Sequence, residues 1–156
     1  MSKALESAES RDERKKNLII HNFPEGESTD PAESEMHDRT AVRTLMNEHL
    51  KVTCKSPVKI TRLGAANNNK KRPMKVCMDT ETDKIKILTN ANKLKFAPEP
   101  YKSARVASDM TEEERNQNRK LLAEARRLNT QESGNWINLV RGPPWNRHIM
   151  RVPKRN

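Results

Sequence analysis

One short run of apolar residues limits the fold of this chain more than any other feature. Leu18, Ile19 and Ile20 stand together, and Pro24 ends the run. Branched apolar residues bounded by proline are typical of a central strand that stops at a turn. The sequence therefore predicts a strand over residues 17–23. No apolar stretch in the chain approaches the ~18 residues that a membrane span needs, so we expect no membrane partner.

The residues that follow alternate between helical and strand-like patterns. Pro31 suits the first turn of a helix whose apolar residues recur at helical spacing up to Lys51. The carboxylates and hydroxyls of residues 79–83 predict the capped start of a second helix, with Ile85 on its apolar face. Three further strands are predicted from short apolar segments at residues 58–63, 74–78 and 103–108.

The order strand, helix, strand, strand, helix, strand is the βαββαβ arrangement of the ferredoxin-like fold. The sequence thus predicts an α+β domain over residues 17–108, preceded by a polar tail or helix end at residues 1–16. A second unit over residues 109–153 begins where Thr111 and Glu114 form a T-x-x-E capping pattern. Two strand-like segments around a Gly-Pro-Pro turn follow that helix, so we expect a small helix plus β-hairpin domain.

Charge is distributed unevenly along the chain. The net charge is +10 overall, with −4 over residues 1–50, +8 over residues 51–100 and +6 over residues 101–156. A local surplus of this size attracts polyanions, which favours a nucleic acid as the partner of the last two thirds. The same surplus of positive charge would also suit binding to an acidic membrane surface, or it could serve only to keep the protein soluble.

Metal and catalytic signatures are absent from the sequence. Cys54 and Cys77 are 23 residues apart without a C-x-x-C pair, so we expect two free, buried or half-buried thiols and no zinc site. The acidic residues of 79–83 fit helix capping better than a calcium loop, since Lys84 stands where such a loop needs glycine. No nucleophile motif such as G-x-S-x-G occurs. We therefore expect no cofactor and no enzymatic activity.

Most of the candidate binding residues are lysines and arginines. A flexible basic loop can reach adjacent phosphates, and alternation on neighbouring strands puts Lys59, Arg62 and Lys75 in one basic stripe on an open sheet face. Arg141 is the preferred single residue, because a guanidinium pairs bidentately with phosphate and also stacks on bases. The alternative for the C-terminal arginines is pairing with Glu112–Glu114 and Glu124. The candidate nucleic-acid-binding residues are Lys59, Arg62, Lys70, Lys71, Arg72, Lys75, Arg126, Arg127, Arg141, Trp145, Arg147 and Arg151.

Three motifs occur in an order that resembles a known family. Residues 17–25 fit N-L-x-I-x-x-x-P-E, residues 72–76 fit R-P-x-x-V, and residues 109–111 fit D-x-T before a charged helix. With this order the chain resembles the RNA-binding first-open-reading-frame proteins of LINE-type non-LTR retrotransposons. The resemblance covers about residues 14–152, nearly the whole chain.

The resemblance implies an atypical RNA-recognition-motif domain over residues 17–108 and a C-terminal domain over residues 109–153. It implies binding of single-stranded RNA, with single-stranded DNA left open, in a ribonucleoprotein with nucleic-acid chaperone activity. Such proteins often trimerise through an upstream coiled coil. Residues 1–16 are too short for three or four heptads, so a homo-oligomer is expected only with a longer N-terminal coiled coil. We expect an intracellular protein, in a cytoplasmic ribonucleoprotein or in the nucleus.

The aromatic platform of an ordinary RNA-recognition motif is expected to be missing. The motifs put Ile19 at the aromatic position of the first strand, and Met74 and Val76 at those of the third. Binding is therefore expected through phosphate contacts, with shallow sequence preference and steep salt dependence. Trp136 is expected in the core, whereas Trp145 stands in a basic loop and is a candidate for base stacking.

Two other classes of function remain open. A protein–protein interaction scaffold with the same fold would bind without nucleic acid, and its complexes would depend weakly on salt. A small nuclease or phosphatase would need a divalent metal or show turnover.

Overall fold

The computed structural model describes residues 12–65 and 71–155, and the chain divides between Asp109 and Met110 into two compact units. The first unit holds β1 (Asn17–His21), α1 (Pro31–Thr44), β2 (Lys59–Arg62), β3 (Met74–Cys77), α2 (Glu81–Asn90) and β4 (Arg105–Ser108). A π-helical segment, Leu45–Leu50, continues α1, and a 3-10 helix, Ala91–Phe96, continues α2. The second unit holds α3 (Glu112–Gln131), β5 (Trp136–Arg141), a 3-10 turn (Pro144–Asn146) and β6 (His148–Pro153).

The four strands of the first unit form one antiparallel sheet in the order β2-β3-β1-β4. Ile20 pairs with Met74 of β3 on one side and with Val106 of β4 on the other. Ile60 of β2 pairs with Val76 of β3. The predicted α+β class is confirmed, and the sheet with its helices is compatible with a ferredoxin-like fold.

The core of the first unit lies between one face of this sheet and its helices. Leu18 and Ile20 of β1 are each 1% exposed, and they pack in one cluster with Val42 of α1, Leu45 and Ile87. Burying an aliphatic side chain of this size contributes about 1.5–3 kcal/mol. Because strand residues alternate between faces, the opposite face of the sheet carries a separate set of side chains.

The predicted helix starts are confirmed. The Thr80 hydroxyl accepts a hydrogen bond of 3.1 Å from the Asp83 backbone N–H, so the acidic residues there belong to the start of α2. At α3, the Thr111 hydroxyl accepts from the Glu114 N–H at 3.1 Å, and the Glu114 carboxylate accepts from the Thr111 N–H at 2.8 Å. Each cap satisfies N–H groups that the helix leaves unpaired, which is worth about 1 kcal/mol.

In the second unit, α3 packs on one face of the β5–β6 hairpin. Asn129 of α3 bridges to the backbone of the buried Asn138: its side-chain oxygen accepts from the Asn138 N–H at 2.7 Å, and its amide donates to the Asn138 carbonyl at 3.1 Å. Val140 is buried on the same face. At the hairpin turn Gly142 has a φ of +105°, and a Cβ there would collide with the Asn146 carbonyl oxygen, so glycine is required.

Two predictions of side-chain burial are wrong, although the predicted strands begin and end within two residues of the observed ones. Ile85 is 51% exposed, and Ile87 fills the core because the buried face of α2 passes through residues 84 and 87. Trp136 was expected in the core and is 40% exposed. It lies at the open end of the hairpin, where the Arg151 guanidinium covers the ring at 4.3 Å from its centre.

A buried ion pair joins β2 to α1. The side chains of Arg62 and Asp38 are each 7% exposed, and the guanidinium donates to both carboxylate oxygens at 2.9 and 3.0 Å. Its other N–H groups donate to the carbonyls of Phe23, Pro24 and Arg72 at 2.6 to 3.1 Å. All five donors of the guanidinium are therefore satisfied.

Replacing Asp38 with asparagine should lower the free energy of unfolding by about 3–5 kcal/mol, because it leaves the Arg62 charge buried without a countercharge. The measurement is urea unfolding followed by circular dichroism. Glu35→Gln is the matched control on the same helix, since Glu35 pairs with Arg39 at 3.4 Å but is 57% exposed. That control should cost less than about 1 kcal/mol. Equal losses in the two variants would contradict a special role for the buried pair.

Candidate nucleic-acid interface

The face of the sheet opposite α1 and α2, which we call the open face, carries three cations on its strands. At its edge, beyond β4, the Asp109 carboxylate accepts a hydrogen bond from the Asn17 side chain at 3.1 Å. The register of the four strands places on the open face Asn17, Ile19, His21, Lys59, Thr61, Lys75, Cys77, Arg105 and Ala107. Lys59, Lys75 and Arg105 form no ion pair with any residue that the structure describes. Their charges are therefore available to an anionic ligand.

The strand register spreads these cations across the sheet. Lys75 pairs with Thr61 of β2 and with Ile19 of β1, so Lys59 lies diagonal to Lys75. Diagonal neighbours of this kind are about 7–8 Å apart, within reach of one another's long side chains. Arg105 lies on the opposite edge strand, where it pairs with His21. Positive charge thus extends from β2 to β4.

Arg105 is a candidate that sequence reasoning missed. Burial, and secondly the nearby Arg105 charge, lower the pKa of His21 below its ordinary 6.5, so His21 is mostly neutral at pH 7. Strand alternation was the signal that could have identified Arg105, because Arg105 and Ala107 lie two residues apart on β4 and therefore share a face.

Arg62 does not belong to the open face, and the prediction that it forms a basic stripe with Lys59 and Lys75 is wrong. Arg62 follows Ile60 by two residues and therefore lies on the face that the helices cover. Its five donors are all used inside the unit. Arg62 holds the sheet against α1 and is not available for phosphate contact.

The predicted basic loop offers one exposed, unpaired cation in the described part of the chain. Lys70 lies outside the described residues, and Lys71 is exposed. Arg72 pairs with Glu25 at 2.5 Å and donates to the Gly64 carbonyl at 3.0 Å. The Arg72 hydrogen bond is the largest cause that holds the pKa of Glu25 below its ordinary value; burial, second in size, opposes it, and the Arg72 charge adds to the lowering.

The aromatic positions inferred from the resemblance are partly wrong. Met74 and Val76 are at most 1% exposed and face the core, so the open-face positions of β3 are Lys75 and Cys77. Ile19 does lie on the open face. None of the open-face residues is Phe, Tyr or Trp, so this face has no ring of those types on which a base can stack.

In the second unit, Arg141 and Arg147 lie near the hairpin turn. Arg141 is exposed at the end of β5, and its guanidinium donates to the Val140 carbonyl at 3.0 Å. Arg147 is half-buried and donates to the Asn118 side chain at 3.0 Å and to the Gly142 carbonyl at 2.8 Å. Burial, and secondly the like charge of Arg141, lower the pKa of Arg147. The structure thus brings two of the predicted arginines close together.

The other predicted arginines of this unit differ in how available their guanidinium groups are to a ligand. Arg126 is exposed and has no ion pair among the described residues. Arg127 pairs with Glu124 through a 2.9 Å hydrogen bond, which is the alternative foreseen from the sequence. Arg151 pairs with Glu132 at 2.8 Å. Of the three, Arg126 is the most available for a ligand.

Trp145 and Phe96 are two of the aromatic side chains that lie outside the sheets. Trp145 is half-buried in the 3-10 turn of the hairpin. Phe96 is 81% exposed at the end of its 3-10 helix, and the Lys95 ammonium lies 5.0 Å from the ring centre. Sequence reasoning did not select Phe96 as a candidate binding residue. The adjacent Lys95 was the feature that could have indicated it.

Residues 12–65 and 71–155 offer neither a metal site nor a membrane-spanning helix. These residues contain no group of three or more His, Cys, Asp or Glu side chains placed to hold a metal ion. They also contain no helix that combines the length and the apolar character that crossing a bilayer requires. Cys54 and Cys77 are free and half-buried.

No family model matches this chain. No curated protein matches it either. The assignment of a function therefore depends on the geometry and charge of the two units.

The Glu25–Arg72 pair predicts a specific loss of stability in acid. Because the pKa of Glu25 is lowered in the folded protein, its contribution is present above the ordinary value of 4.5 and is lost as pH falls through the folded value. The difference in unfolding free energy between the native chain and Glu25→Gln should therefore stay constant from pH 7 to about 5 and shrink below that. Urea unfolding at several pH values measures it.

Glu27→Gln is the matched control for this prediction. Glu27 is exposed two residues further along and has no ion pair among the described residues. The same pH-dependent change for both variants would contradict a role for the Arg72 contact.

Proposed function

We propose that this protein binds single-stranded nucleic acid, with RNA as the first candidate, mainly through the phosphate backbone. The observation that carries the proposal is the open face, where Lys59, Lys75 and Arg105 have no ion pair among the described residues and no strand residue is Asp or Glu. The carboxylate at its edge, Asp109, accepts a hydrogen bond from Asn17. Cations in such an arrangement attract a polyanion, and binding releases its counterions.

The side chains of the open face also determine how binding depends on base sequence. Lysine and arginine contact phosphates, which are the same for every base. Without a Phe, Tyr or Trp ring on this face, bases gain little from stacking, which is worth about 1–3 kcal/mol per base where a ring is present. Binding is therefore sequence-tolerant and strongly dependent on salt.

The second unit contributes cations of its own to the proposed function. Arg141 pairs with His148, next to Arg147 in the chain, and burial, with the like charge of Arg141 second, lowers the pKa of Arg147. A phosphate bound beside both guanidinium groups would relieve the repulsion between them, which makes the hairpin turn a favourable place for an anion. Arg126 on α3 is a further exposed cation.

In this proposal the first unit is a ferredoxin-like βαββαβ domain of the RNA-recognition-motif type. The sheet order β2-β3-β1-β4 supports this assignment. The chain is then a relative of the first-open-reading-frame proteins of LINE-type retrotransposons, which the order of the three sequence motifs supports. Assembly into a ribonucleoprotein and nucleic-acid chaperone activity follow from that relationship.

Salt-dependent RNA binding tests the proposal. Fluorescence anisotropy with a labelled RNA of about thirty nucleotides should give a log affinity that falls linearly with log salt. Changing Lys59, Lys75 and Arg105 to glutamine together should weaken binding and make the slope shallower by about two, since each lost phosphate contact is worth about 0.7. A DNA strand of the same sequence, used as competitor, measures the preference for RNA.

The matched control removes the same charge from the helices. Arg43, Lys86 and Lys95 are exposed on α1, α2 and the 3-10 helix, and changing all three to glutamine also removes one arginine and two lysines. This variant should keep the slope of the native chain. Equal losses in the two variants would show that only net charge matters, and binding that is absent or insensitive to salt would reject the proposal.

A further inference from the structure

The outer face of the β5–β6 hairpin, opposite α3, carries an apolar strip that remains partly exposed. Asn138 and Val140 turn toward α3 and are buried, whereas the residues between them and their partners face the other way. The register pairs Ile137 with Val152 and Leu139 with Met150, so the four side chains are contiguous. We call them the hairpin strip: Ile137, Leu139, Met150 and Val152.

Apolar residues on both faces are unusual for a hairpin with one face in water. A solvated sheet face normally carries polar residues in alternation with the buried ones, whereas strands covered on both faces read as continuous apolar runs. β5 reads Trp-Ile-Asn-Leu-Val, and Met150 of β6 is 45% exposed. The hairpin thus has the composition of a sheet covered on both faces, and contiguous exposed apolar surface marks an interaction site.

Cations stand at both ends of the hairpin strip. The strip lines a groove of about 690 Å³ that Arg141 borders at one end and Lys154 and Arg155 at the other. No aspartate or glutamate is among the groove residues. Arg141 pairs with His148, and Lys154 follows His148 by six residues, which separates the two charged ends by about 20 Å at ~3.3 Å per residue.

We propose that the hairpin strip docks an acidic amphipathic helix of another protein. The apolar side chains of such a helix, spaced i, i+3, i+4 and i+7, fill the groove, and carboxylates near its two ends pair with Arg141 and Lys154. A separation of about 20 Å corresponds to about fourteen helical residues at 1.5 Å each. The inner face of the same hairpin already packs against a helix, α3, through the Asn129–Asn138 hydrogen bonds.

The groove favours this partner over two others that also carry negative charge. Its lining combines apolar side chains with cations at the ends and has no aromatic ring, so it lacks the platform on which single-stranded nucleic acids stack their bases. Its concave form suits a convex ligand such as a helix, whereas a membrane surface is contacted by residues that protrude. This proposal is independent of nucleic-acid binding by the open face.

The test uses the full chain and a synthetic helical peptide of about fourteen residues. The peptide carries leucines at i, i+3, i+4 and i+7 and glutamates in its first and last turns. We expect saturable binding by fluorescence anisotropy, and chemical-shift changes of amides in β5 and β6 by NMR. A peptide of the same composition in shuffled order, and one with lysine in place of glutamate, should bind at least about tenfold more weakly.

Two pairs of variants locate the site. Met150→Asp should weaken peptide binding at least about tenfold, whereas Met36→Asp, at a methionine of α1 that is 68% exposed, should leave it unchanged. Arg141→Glu with Lys154→Glu should also weaken binding, whereas Arg126→Glu with Lys120→Glu on α3 should not. NMR spectra with native-like dispersion show that each variant is folded.

Several outcomes would overturn the proposal. One is equal binding of the shuffled peptide, or a Met150→Asp variant that binds as tightly as the native chain. Another is an RNA oligonucleotide that shifts the hairpin-strip amides while the peptide does not. Binding to vesicles of phosphatidylcholine and phosphatidylserine, lost in Met150→Asp without any peptide binding, would assign the strip to membranes. A dimer that Met150→Asp abolishes would assign it to a second copy of the chain.

Discussion

The buried ion pair between Arg62 and Asp38 determines which charges of the first unit face solvent. A buried guanidinium is tolerated only when a countercharge and its remaining hydrogen-bond acceptors are in place, and here one carboxylate and three backbone carbonyls satisfy it. This fixes the side of β2 that faces the helices. Strand alternation then sends Lys59 to the open face. The buried Arg62–Asp38 contact thus determines that Lys59 lies on the solvent-facing side of the sheet.

The same reasoning separates the net charge of +10 from the charge that a ligand can use. Arg62 and Arg72 are neutralised by carboxylates within the first unit, and Arg151 is neutralised within the second. These cations still contribute to the long-range potential, but all five donors of Arg62 are occupied, and Arg72 and Arg151 each commit part of theirs to a carboxylate. The open-face cations, in contrast, keep their donors. Composition alone does not distinguish the two groups, because the distinction depends on pairing.

The features that could be predicted from the sequence are those that depend on neighbouring residues. The T-x-x-E pattern at Thr111 locates a helix start because both partners lie within one turn. Arg62 was misassigned although alternation with Ile60 places it on the covered face, opposite Lys59; what the sequence does not show is Asp38, 24 residues away, which makes a buried arginine possible there. Trp136 was misassigned because nothing local shows where α3 stops covering the hairpin. The binding of RNA by the candidate cations stays a prediction.

The two units differ in how much of their apolar surface is buried, and this difference affects their stability. In the first unit, helices cover one face of the sheet and cations occupy the other. In the described part of the second unit, only Ala125, Asn138 and Val140 are buried, while the hairpin strip stays partly exposed. So small a core leaves this unit little stability of its own. A partner that covers the strip therefore also stabilises the hairpin, by about 2.7 kcal/mol at a hundredfold excess over Kd.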